Sequence, residues 1–196
     1  MKDLLINKSF NFISNHKELS EYNEIKIKYG LEVMYNFIFK TMAVLLLALL
    51  FNVLIEVLLI FIFYGFLRSF VHGVHGNSNI ICWILTLVTY IISIFIIKNY
   101  AFSFNISVII CIFSFISFLF WAPSDTKYRP LLSVEKRKKL KLLSLLISII
   151  YSIIILFTPF KYTNCLLISL CLSSIVINPI SYKLFGLKRN NYKSYI

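Results

Sequence analysis

The chain has 196 residues, of which 59% are hydrophobic and 14% charged, more apolar surface than one soluble core of this size can bury. A soluble globular domain is therefore excluded. The net charge of +12 does not read as a nucleic-acid surface either, because most of the basic residues are concentrated between apolar runs, as the positive-inside rule of membrane proteins requires. Cys82, Cys111, Cys165 and Cys171 lie in or beside apolar stretches, at spacings that suggest neither a zinc site nor a disulfide framework. No metal or organic cofactor is expected. The opening MKDLLINKSF has no continuous apolar run and no small-residue cleavage site, so no signal peptide is expected.

In chain order, the first forty residues carry six Lys against five Asp and Glu and no spanning run. Leu5, Ile6, Phe12 and Ile13 fall on one side of a helix, and Ser20 with Glu21 and Glu24 reads as the cap and first turn of a second. Both are expected to lie on the inner membrane surface, with a solvated or partner-binding role as the alternative. Residues 41–67 form a long apolar stretch interrupted by Asn52 and Glu56. A hairpin of two short helices broken near Asn52 is the expected form; a single long tilted helix is the alternative and would put the N-terminus on the other side. Four further stretches, 80–97, 102–121, 142–157 and 165–180, approach the roughly 20 residues needed to cross a bilayer, the last two slightly short. The expected fold is all-α: a polytopic membrane helical bundle of about four clear spans, a short N-terminal hairpin pair and amphipathic N-terminal helices. One membrane-embedded domain is expected over 1–196, with cytoplasmic-face helices at 1–34, the spanning core at 35–182 and a basic tail at 183–196.

Orientation follows from charge. Between Ala122 and Lys141 the cations Lys127, Arg129, Lys136, Arg137, Lys138, Lys139 and Lys141 face only Asp125 and Glu135, and the tail adds Lys183, Lys188, Arg189 and Lys193 with no acid. The loops around Lys98 and Lys161 carry one basic residue each. The 122–141 segment and the tail are therefore expected in the cytoplasm. Counting crossings backward puts residues 68–79 there too.

Reactive side chains converge in that last segment: Arg68-Ser-Phe-Val-His72-Gly73-Val-His75-Gly76-Asn77-Ser78-Asn79-Ile-Ile-Cys82. His75 and Cys82 are seven residues apart, about 10.5 Å along a continuous helix, so they meet only if a helix begins after Gly76 and the chain before it folds back. Gly73 and Gly76 permit such a reversal, and Asn77 or Ser78 suits the N-cap of a helix carrying Cys82. The helix dipole there favours negative charge, and a neighbouring imidazole can take the thiol proton, which is the minimum for nucleophilic acyl transfer. Spacing alone leaves this open against a buried small Cys and a His engaged in packing.

Arg68, His72-Gly73-Val74-His75, Ser78 and Cys82 are followed by Ala122-Pro123-Ser124-Asp125-Thr126-Lys127-Tyr128-Arg129-Pro130 and the basic run Lys136 to Lys139. With the Gly30-Leu31-Glu32-Val33-Met34 segment, this pattern resembles the accessory gene regulator protein B family, AgrB, over nearly the whole chain. The resemblance implies a cell-membrane cysteine endopeptidase of quorum sensing that cleaves an AgrD-like propeptide near its C-terminal tail. It would then cyclise the peptide through a peptidyl thioester to a thiolactone or lactone. It implies His75 and Cys82 as the catalytic pair, Arg68, Gly73 and Ser78 in support, Lys127 and Arg129 on the substrate, and a homodimer. His72 matches a recurrent His but not the catalytic one, and Tyr128 departs from the family's basic stretch. A small membrane transporter or export partner for a peptide is the rival reading. The absence of internal repeats and of a second intramembrane charge beside Glu56 weighs against it. Glu56 itself is expected to be paired, with Arg68 or a histidine as candidates, and Cys111, Cys165 and Cys171 are expected to pack.

Overall fold

A computed structural model describes residues 2–15, 20–74, 78–126, 130–157 and 162–194. Among the described residues every regular element is helical. The chain divides into two units, Met1–Leu50 and Phe51–Ile196.

The first unit holds α1 (Lys2–Ser14) and α2 (Glu21–Leu50). α2 opens as expected, with Glu21 and Glu24 in its first turn and the Glu24 N–H on the Ser20 carbonyl. It then runs without interruption through residues 34 and 35 to Leu50, so one helix carries both the acidic opening and the first apolar stretch. α1 packs on it through a Ser9–Tyr35 hydroxyl pair at 2.7 Å and the Lys28 ammonium over the Phe10 ring. The buried residues of α1 are Ile6 and Phe10, one helical turn apart, while Phe12 is exposed. The expected apolar face is thus rotated.

The helix breaks at Asn52, which takes a left-handed φ of 56°. Asn tolerates that region better than any other residue with a side chain, and α3 (Leu54–Val71) starts two residues later. The second unit continues with α4 (Asn79–Asn99), α5 (Phe104–Trp121), α6 (Val134–Phe157), α7 (Thr163–Ile177), α8 (Pro179–Leu184) and a 3₁₀ turn at Asn191–Ser194. α6 is longer than its apolar stretch because the basic run is helical too. Ser133 caps its start, accepting from the Lys136 N–H, and Glu135 sits in its first turn. Lys and Arg are good helix formers, so the loop expected over 122–141 ends at residue 133.

α7 is the inner helix. It packs on α3, α5 and α6 and is buried on most of its circumference, through Cys165, Leu166, Leu167, Leu170, Ser173, Ser174 and Ile177. Its serines return their hydroxyls to carbonyls one turn back, Ser169 to Cys165, Ser173 to Ser169 and Ser174 to Leu170, at 2.7–2.8 Å. Small residues so satisfied let the neighbouring backbones approach closely without leaving a polar atom bare. The helix stops at Ile177, short of the expected 180. Asn178 is at once its C-cap and the N-cap of α8, with Pro179 at the first helical position.

Outward, α4 exposes Ile84, Val88, Ile91, Ile92 and Phe95, and α5 exposes Ile109, Ile112, Ile116 and Phe120. Five helices, α2 to α6, are long and apolar enough to cross a bilayer, and α7 is a shorter apolar helix. The protein is a multi-pass membrane protein.

Candidate active site

The end of α3 is built to reverse the chain. Its last helical hydrogen bond runs from the His72 N–H to the Arg68 carbonyl, and His72 and Gly73 then take positive φ values of 59° and 111° in succession. Two residues, rather than the glycine alone, make the turn. After it the chain lies flat against Ser124: the Ser124 N–H donates to the Val71 carbonyl and the Gly73 N–H to the Ser124 carbonyl, each at 3.0 Å. Val74 then donates to the Val176 carbonyl at 3.1 Å. The extended segment leading toward residue 75 is therefore held on one side by α7 and on the other by the segment that follows α5.

Gly73 is required here. A Cβ in its place would stand 2.8 Å from the Val176 side chain, 2.9 Å from the Val176 carbonyl and 3.2 Å from Nη1 of Arg68. Arg68, in the last turn of α3, donates through Nη2 to the Val74 carbonyl, while its Nη1 is buried without a partner among the described residues. Arg68 thus grips the backbone one residue before residue 75. Glu56 lies in the first turn of the same helix, twelve residues or about 18 Å away. Of the candidate partners for Glu56, Arg68 and His72 are both at the far end of the helix and do not pair with that carboxylate, and His75 lies outside the described residues.

α4 begins on the other side of the connection. Ser78 is its N-cap, its Oγ accepting from the Ile81 N–H at 3.2 Å. Cys82 is the fourth helical residue, half-buried, with its N–H on the Ser78 carbonyl and its own carbonyl accepting from Thr86 Oγ1. Arg68 and Gly73 are therefore brought together, and Ser78 and Cys82 share the opening turn of α4. His75, Lys127 and Arg129 lie outside the described residues. Of the other thiols, Cys111 and Cys165 are buried and Cys171 is half-buried. A cavity of about 300 Å³, walled by Gly65, Arg68, Ser69, His72, Gly73, Ser124 and Thr126, opens beside the reversal.

Comparison with known proteins settles the family at this point. The family model described as Accessory gene regulator B matches residues 6–177. The chain belongs to the AgrB family. It is 30% identical to the Accessory gene regulator protein B of Staphylococcus lugdunensis over 92% of this chain and 95% of that one. An AgrB-like protein of Listeria innocua serovar 6a is 31% identical over 100% of this chain and 93% of its own length, and one of Clostridium acetobutylicum is 28% identical over 92% and 87%. No solved structure matches.

In this AgrB-family chain, sequence reasoning missed the residues behind the reversal. Ser124 is buried, donates its hydroxyl to the Trp121 carbonyl at 2.7 Å and bridges to Gly73 by its backbone. Asp125 is buried beside it, and Tyr182 donates its phenol to the Asp125 carbonyl at 2.8 Å. Burial pushes that phenol up to about 12. The only sequence signal was the acid within the Ala122 to Pro130 motif, read there as one charge in a balance.

Proposed function

We propose that the chain is a cysteine endopeptidase of the cell membrane, acting in accessory gene regulation by quorum sensing, whose substrate is an AgrD-like propeptide. His75 takes the proton of Cys82, and the thiolate attacks the carbonyl of the peptide bond that joins the signal region to its C-terminal tail. The C–N bond breaks, the imidazolium proton goes to the departing amine, and the signal region remains as a thioester on Cys82. A Cys or Ser side chain of the precursor then attacks that thioester and closes a thiolactone or lactone, its proton returning by way of His75 to the Cys82 sulfur. The acyl energy of the thioester serves the ring closure, so no ATP is needed.

The observation that carries this reading is the join between α3 and α4. A reversal at His72–Gly73 and a capped helix start at Ser78 bound the three residues 75–77, and Cys82 stands in the first turns of the helix that follows. This supports the reading without describing His75, which lies outside the described residues. The test is co-expression with an AgrD-like propeptide. The signal peptide released should be one water lighter than the hydrolysed linear fragment. A linear acid as sole product, or intact precursor, overturns the proposal.

The site is proposed to face the cytoplasm. Cysteines engineered at the exposed positions Leu132 and Asn99 should be labelled by an impermeant reagent from the inside and the outside respectively, and the reverse pattern would displace the site. Lys127 and Arg129 are proposed to hold the precursor tail. Replacing both with Gln should leave insertion intact while processing weakens and loses salt sensitivity; unchanged processing would reduce them to topology signals. The working unit is proposed to be a homodimer, which a fully active monomer in mild detergent would contradict.

A further inference from the structure

The tail was expected to be a basic cytoplasmic segment; Lys183 and Lys188 are exposed, but residues 189–192 make polar contacts with the segment that follows α5. The Asp125 carboxylate accepts the Asn191 N–H on Oδ1 and the Tyr192 N–H on Oδ2, both at 3.0 Å. Nη2 of Arg189 reaches the Trp121 carbonyl and the Ser124 hydroxyl, each at 3.4 Å, and its Nε is buried without a partner among the described residues. The Arg137 guanidinium lies 3.7 Å from the centre of the Tyr192 ring while it donates to the Leu131 carbonyl at 2.6 Å. The tail is thus tied at three points to residues 55 to 68 positions away in sequence.

Charges needed only to set topology act from water. Drawing Asp125 fully and Arg189 partly out of water is costly and is offset only where hydrogen bonds fix their geometry. Burial lowers the Arg189 pKa from its ordinary value, with Tyr182 and Asp125 opposing the shift. The cost falls at one place, the segment whose backbone is bonded to Val71 and Gly73.

We propose that residues 188–192 form a strap that holds the Ser124–Asp125 segment, and through it the Gly73–Val74 backbone leading to His75, with Asp125 as the positioning residue. Asp125 acts by position: its carboxylate accepts the Asn191 and Tyr192 N–H groups of the tail, and the carbonyl of its neighbour Ser124 accepts the Gly73 N–H. This rests on the proposed role of His75 and Cys82.

The experiment measures processing of an AgrD-like propeptide per mole of membrane-inserted protein in four forms: unmodified, Asp125→Ala, Asp125→Asn and a chain truncated after Leu187. Misalignment of reacting groups lowers kcat, and a drop of about ten-fold or more, with KM nearly unchanged, is expected for Asp125→Ala and for the truncation. Asp125→Asn keeps one acceptor oxygen but turns its amide NH2 toward the second tail N–H, so a loss smaller than that of Asp125→Ala is expected, and a loss as large as that of Asp125→Ala would contradict the acceptor role. If Asp125→Ala is not recovered from membranes, the truncation decides alone. Unmodified kcat in the truncated chain overturns the strap, as does a raised KM at constant kcat, which would make the tail a substrate contact. Cys82→Ala run alongside separates the two ideas: an inactive Cys82→Ala with a fully active truncation rejects only the strap, whereas an active Cys82→Ala rejects the mechanism beneath it.

Discussion

Cys82→Ala and His75→Ala are each expected to abolish cleavage of an AgrD-like propeptide while the protein still inserts. Cys82 stands half-buried in the first helical turns of α4, and Ala fits a helix at least as well as Cys, so the substitution removes the nucleophile and little else. Without the sulfur no acyl-enzyme forms, and neither bond breakage nor ring closure has a route. Loss of a general base ordinarily costs about 10² to 10⁴ in rate, and in the proposed mechanism the same imidazole also serves the departing amine and the closing step. Cleavage assayed by mass spectrometry of the precursor should therefore fall below detection in both. Cys111→Ala, Cys165→Ala and Cys171→Ala are the controls. These thiols lie on α5 and α7, buried or half-buried, and make none of the hydrogen bonds that hold the reversal, so their removal should leave processing intact. Near-normal cleavage by either site variant contradicts the mechanism.

Gly73→Ala is expected to do nearly as much damage without touching a reacting group. At φ 111° an alanine is strained by about 1–3 kcal/mol, and its Cβ meets the Val176 carbonyl at 2.9 Å. That carbonyl cannot retreat freely because it accepts the Val74 N–H. The strain is relieved by breaking the Gly73–Ser124 or Val74–Val176 bonds, and either release moves the backbone two residues from His75. A displacement of about 1 Å at a catalytic group can cost roughly 10²-fold, so processing should drop by that order with insertion retained. Gly30→Ala is the comparison. Gly30 has open space around its Cβ position within helix α2, and that variant should process normally and gain up to about 1 kcal/mol in helix stability. Equal activity in the two variants would show that the reversal at Gly73 does not position the site.

Much of the architecture was legible because lipid rewards one property, unbroken apolar length. The break at Asn52, the acidic start of α2 and the Ser78 cap could be read because each is a local choice made by one side chain against its own backbone. The extent of α6 could not be read from hydropathy, since its first two turns are Lys-rich and polar yet good helix formers. Nor could the end of α7, where Pro179 opens α8 and Asn178 serves two helices. At the site, the place of Cys82 in the opening turns of α4 and the reversal at Gly73 could be read from spacing, whereas the pairing of His75 with Cys82 is part of the proposal. The positive φ of His72, the grip of Arg68 on the Val74 carbonyl and the hold of Asp125 on the tail could not be read. They depend on contacts across the bundle, such as the 66-residue separation of Asp125 from Asn191, which no local pattern encodes.

The central claim is that the precursor's signal region passes through a covalent thioester on Cys82. It is tested most directly by incubating the membrane-inserted protein with an AgrD-like propeptide whose ring-closing Cys or Ser has been replaced by Ala, and then mapping the adduct by mass spectrometry. With no internal nucleophile to release it, the signal region should accumulate on Cys82, bonded through sulfur and discharged by hydroxylamine, while the C-terminal tail appears free. Tail release with no adduct on Cys82, or an adduct on any other residue, would contradict the account.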